Sequence, residues 1–144
     1  IFNVLHMPDF INYMVDIGMS LTQIGLHNIL LDPLAYHISM LPASTKNQVR
    51  ELYAQFLIDK HNEGYSERGI SLLRYRLNGI KNYLSVDIGD QESRIKNAQH
   101  FIYLTETLDR VRKENFLDTF PELKDYWDIC AEVPQPSWRT KKDV

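Results

Sequence analysis

Between Val49 and Val111 apolar residues recur three and four positions apart in three separate runs, and this periodicity is the strongest constraint on how the chain can fold. An α-helix brings a side chain back to one face about every 3.6 residues, so each run predicts a helix that buries one stripe against a neighbour. The first stripe is Val49, Leu52, Tyr53, Phe56 and Leu57, with Ser44 placed as its N-cap. The second is Ile70, Leu73, Leu77, Ile80 and Leu84. Gly79 interrupts it at a cost of about 1 kcal/mol relative to alanine. The third is Ile95, Ala98, Phe101, Ile102, Thr105, Leu108 and Val111, with Arg94, Lys96, Glu106 and Arg110 toward water. Asn62-Glu63-Gly64 separates the first two runs, and Asp87-Ile88-Gly89-Asp90 the last two, with Asp90 as the next N-cap.

Ahead of these helices the pattern changes. Residues 1–5 have the β-branched and aromatic content of a strand. Pro8-Asp9 then opens a helix carrying Phe10, Ile11, Met14 and Val15, with Gly18 as its C-cap. Residues 24–31 read as a second strand ended by Asp32-Pro33, and residues 36–41 as a third stopped by Pro42. The expected fold class is therefore α/β and helix-rich. Its divisions are a strand-helix-strand-strand segment over residues 1–42, a helical region over 43–130, and an extended or disordered tail over 131–144.

Composition excludes several classes. With 144 residues, 44% hydrophobic and 11% aromatic, the chain can fill the core of one domain. A formal charge of -3 argues against a nonspecific nucleic-acid surface, and Arg139, Lys141 and Lys142 form the only basic cluster along the sequence. No nucleic-acid partner and no membrane span are expected, and the compartment expected is the cytoplasm. The single cysteine, Cys130, excludes an internal disulfide and a thiolate-only metal site.

The sequence carries few catalytic or metal-binding patterns. Histidines 6, 27, 37, 61 and 100 include no pair at the spacing of a helical zinc face, so no metal ligand is assigned. The glycines form no phosphate loop, and no serine sits in a nucleophile elbow. Cys130 reads as an apolar filler.

The last constraint is the bend after the third helix. Asn115 marks a turn, Pro121 suits a first helical position, and Phe116, Phe120 and Leu123 are available to pin the chain. Asp109 and Arg112 lie three apart and can pair, so Arg112 is expected to tie the bend by donating to Asp109 or to carbonyls near Phe120. Asp109, Arg112, Asn115 and Phe116, followed by Phe120, Pro121, Glu122 and Leu123, resemble the C-terminal signature of twitch-domain radical SAM proteins, a family met in phages and environmental bacteria. Residues 28–33 and 38–42 are similar to a strand, turn and Leu-Pro segment of the same family.

The resemblance implies that residues 1–42 are terminal strands of a partial (β/α) barrel, followed by a three-helix C-terminal region. It implies S-adenosylmethionine and a [4Fe-4S] cluster for a longer polypeptide and a peptide or small-molecule substrate. The upstream part of that polypeptide would be the partner. The cluster motif Cys-x-x-x-Cys-x-x-Cys is missing here, so this chain alone would bind no cofactor and be inert. In such barrels ligands approach the carboxyl ends of strands, which makes His6, Asn28 and Asp32 the substrate-facing candidates, against the plainer reading of loop residues. The alternative function is a non-enzymatic helical protein-interaction module.

Overall fold

The computed structural model describes residues 4–26 and 32–136. In order these residues form helix α1 (Met7–Asp16), single 3₁₀ turns at Leu34–Tyr36 and Ile38–Met40, α2 (Ala43–Asn62), α3 (Glu67–Leu84), α4 (Gln91–Arg112), the one-turn α5 (Phe116–Thr119), a 3₁₀ turn at Pro121–Leu123, and α6 (Lys124–Ala131).

No strand occurs among the described residues, which overturns the partial barrel. The backbone groups that a sheet would pair are used otherwise. The Val4 carbonyl accepts the Tyr53 hydroxyl of α2 at 2.8 Å, and the Ile24 carbonyl accepts Arg76 of α3. Between residues 36 and 41 the N–H groups bond locally: Met40 to the His37 carbonyl at 3.0 Å and Leu41 to that of Ile38 at 3.3 Å. His37 caps the second turn, its Nδ1 accepting the Ser39 N–H at 3.1 Å, and both side chains are buried. Short apolar runs do not distinguish strand from compact turn by periodicity, and here tertiary partners chose the turn. The parts of the expected strands at residues 1–3 and 27–31, and the tail from residue 137, lie outside the described residues.

The long helices follow their stripes. All five apolar residues of the α3 stripe are buried, as are Val49, Tyr53 and Phe56 of α2. On α4 the stripe is shorter than expected: Ala98, Phe101, Ile102 and Thr105 are buried, whereas Ile95, Leu108 and Val111 are exposed. The ends of α4 extend past the helices that cover its middle. Its N-cap is Asp90, which accepts the Ser93 N–H at 2.9 Å, and α3 has Ser66 in the same role. Ser44 is not the cap of α2: the helix begins at Ala43, directly after Pro42. The end of α2 closes on Lys60, buried between the rings of Phe56 and Tyr65 and paired with Glu63 at 2.6 Å.

A ring cluster joins α4 to the C-terminal elements. Phe101, fully buried, meets Tyr36, Phe116, Tyr126 and Trp127 at centroid distances of 5.7, 5.6, 4.7 and 6.0 Å. Truncating it leaves a cavity that the surrounding rings cannot fill. Phe101→Ala is expected to lower unfolding free energy by about 3–5 kcal/mol, while Val111→Ala on the exposed end of α4 changes it by under about 0.5 kcal/mol. Urea denaturation of both variants checks this.

Candidate functional site

The bend between α4 and α5 is assembled from backbone groups that two helix ends leave unpaired. Lys113 adopts the left-handed conformation with φ 58°, ending α4 and turning the chain. The Phe116 N–H, which has no partner within the one-turn α5, donates to Asp109 Oδ2 at 2.9 Å. Asn115 caps α5, its Oδ1 accepting the N–H groups of Leu117 and Asp118 at 2.9 and 3.2 Å. Phe116 then stacks on Trp127 of α6 at 5.5 Å, and Leu123 is buried beneath. Phe120 packs beside Phe116, and Pro121 opens the 3₁₀ turn that leads into α6.

Arg112 does not tie this bend. It is exposed and makes no hydrogen bond or ion pair among the described residues. Asp109 instead accepts the Phe116 backbone N–H, so the helix-face pair with Arg112 does not form. The bend borders an open cleft of about 360 Å³ lined by Glu106, Asp109, Arg110, Glu114 and Trp127.

The other expected site residues do not converge. His6, the N-cap residue of α1, meets Glu122 of the bend across 116 positions, its Nε2 2.7 Å from the carboxylate, and its Nδ1 is 3.6 Å from Asp9. The Glu122 hydrogen bond raises its pKa above the usual 6.5, against a smaller opposing effect of burial, and Asp9 adds to the rise. Asp32 is exposed and makes no hydrogen bond or ion pair with His6 among the described residues. Asn28 lies outside them. The strand ends that would have gathered these three residues are not there.

One groove escaped the sequence reading. On the outer side of α3, Leu26, Tyr75, Arg76, Asn78, Gly79 and Tyr83 line a depression of about 430 Å³. Arg76 is fixed there by donating to the carbonyls of Leu21 at 3.1 Å, Thr22 at 3.2 Å and Ile24. The signal in the sequence is the pair of tyrosines at 75 and 83, which lie off the buried stripe of α3.

No family model, curated protein or solved structure matches the chain. Chemistry must be read from the residues alone. Among the described residues no group of three or more His, Cys, Asp and Glu side chains is placed to hold a metal ion. Cys130 is buried beside Tyr126, and burial pushes its thiol up to about 11, far from a nucleophilic thiolate at neutral pH. Burial also lowers the pKa of His37, with the positive charge of Lys46 adding to it, so the imidazole is neutral and serves as a cap. No helix among the described residues is long and apolar enough to cross a membrane.

Two outcomes follow from this geometry. Asp109→Ala removes the acceptor for the Phe116 N–H and is expected to cost about 1–2 kcal/mol, while Arg112→Ala stays within about 0.5 kcal/mol, as measured by denaturant unfolding. His6, with its folded pKa raised, adds stability that is complete below pH 6.5 and fades as pH rises through the folded value. Glu122→Gln should return the His6 titration toward 6.5 in an NMR pH series; an unmoved titration would contradict the pairing.

Proposed function

We propose that this chain is a non-enzymatic helical protein-interaction module that presents the outer ridge of α1 to an apolar groove on another protein. The observation that carries it is the exposure of Phe10, Tyr13 and Ile17, at 46%, 60% and 58%, along one stripe of α1 and its C-cap. Positions i, i+3 and i+7 fall on a single helix face, the spacing by which an amphipathic helix enters a hydrophobic groove. The opposite face of α1 is already spent on the core, through Pro8 and Ile11. The ridge is therefore surplus to folding, and water-facing apolar side chains aligned in this way mark contact surfaces. Asp9 and Asp16 flank the ridge, so the groove that suits it carries basic residues at its rim.

The radical SAM reading keeps the resemblance of the bend as its support, but Asp109, Asn115 and Phe116 have local structural work that accounts for them. The strands that would have closed a barrel no longer support it. For the interaction module, a photo-cross-linking amino acid at Tyr13, introduced into the natural polypeptide in its own cells, is expected to give an intermolecular adduct. Phe10→Asp with Ile17→Asp should abolish that adduct without lowering the melting temperature. An adduct confined within the same polypeptide would favour the enzyme fragment, and no adduct would remove the ridge as a contact surface.

A further inference from the structure

We propose that the outer face of α3 binds single-stranded nucleic acid, independently of the α1 ridge. Charge is the first observation. Helix α3 carries Arg68, Arg74, Arg76 and Lys81 against a single acid, Glu67, a formal +3 within a chain whose total is -3. Net charge for the whole chain therefore conceals one basic helix. Arg68, Arg74 and Lys81 make no hydrogen bond or ion pair among the described residues, whereas the one acid lies 3.3 Å from His61. Arg76 is spent on the carbonyls of residues 21, 22 and 24, which makes it a fixed wall of the groove rather than a free cation.

The second observation is the kind of surface between those cations. Tyr75 is 76% exposed; Tyr83 is 37% exposed, its ring held in an edge contact with buried His37 at a centroid distance of 6.0 Å. Being eight residues apart, they stand about 12 Å apart along the helix axis. Between them is Gly79, where an added Cβ would meet nothing within 4 Å. The fold gains nothing from glycine there and loses helix stability by it. What glycine does supply is a notch of bare backbone between two phenol rings, open to a flat ligand. Asn78 and Asn82 border it with exposed amides that make no hydrogen bond among the described residues.

Cations alone would accept any polyanion. Cations flanking two exposed rings and a flat notch suit a chain that alternates phosphate with planar bases. Every base offers a π-face to a tyrosine, the arginines and Lys81 take the phosphates, and the amides can donate to and accept from base edges. The footprint is short, so the affinity is modest and salt-dependent. About three neutralised phosphates on a single strand imply a loss on the order of tenfold between 50 and 200 mM salt.

Fluorescence anisotropy with labelled oligouridylate and oligothymidylate of about 12 nucleotides tests this on the full chain. Binding at low salt is expected, weakened at least about tenfold by Tyr75→Ala and by the pair Arg68→Glu, Arg74→Glu, and unchanged by Arg110→Glu at the far bend. Gly79→Leu should weaken binding while circular dichroism shows α3 intact or stabilised, separating the notch from the fold. Absence of binding at low salt, or binding indifferent to Tyr75→Ala, would overturn the proposal. So would oligoglutamate displacing the nucleotide probe equally well, which would make this a surface for acidic peptides.

Discussion

The contact on which the C-terminal half depends is the packing of four aromatic rings around Phe101. Through them one side chain joins α4 to α5, to α6 and to the first 3₁₀ turn. Edge-to-face and tilted contacts at these distances add orientation to the burial of apolar area, so the angle of the bend is set from inside. The two tyrosine hydroxyls of the cluster also find partners. The Tyr126 hydroxyl reaches the Ala35 carbonyl at 3.5 Å, and the Tyr36 hydroxyl meets Thr105 at 3.1 Å. With the rings locked and Asp109 holding the Phe116 N–H, Arg112 is left without a hydrogen bond or ion pair among the described residues, while Glu122 of the same bend is tied to His6.

What was legible in the sequence divides along the range of the interaction. The stripe of α3, the cap at Asp90, the turn at Asn115 and the role of Pro121 depend on neighbours within a few positions, and each is found where its pattern placed it, with Asn115 also capping α5. On α4 the spacing outruns the burial: Ile95 and Val111 keep the helical period yet are exposed. The segments expected as strands differ for a related reason. An apolar run says that a segment is buried, not which partner its carbonyls will find, and here Tyr53 and Arg76 are those partners from distant helices.

The candidate site was less legible still. His6 and Glu122 were both singled out, for unrelated reasons, and the fold places them in one hydrogen bond that no local pattern announces. Arg112 was assigned a partner because it lies at helical spacing from Asp109, yet a backbone N–H seven residues on had the stronger claim on that carboxylate. Charge behaved in the same way. A total of -3 averages over helices of opposite character, and only the folded arrangement shows that α1 offers apolar groups between acids while α3 offers tyrosines between cations.

The buried thiol of Cys130 has a practical consequence. It is 1% exposed, on α6, packed beside Tyr126 at the edge of the ring cluster. A solvent-borne alkylating agent reaches that sulfur only when α6 lifts from α4, so the rate of modification measures how often the C-terminal helix lets go. As the sole cysteine of the chain it answers without background, and the protein thus contains its own clock for the breathing of α6.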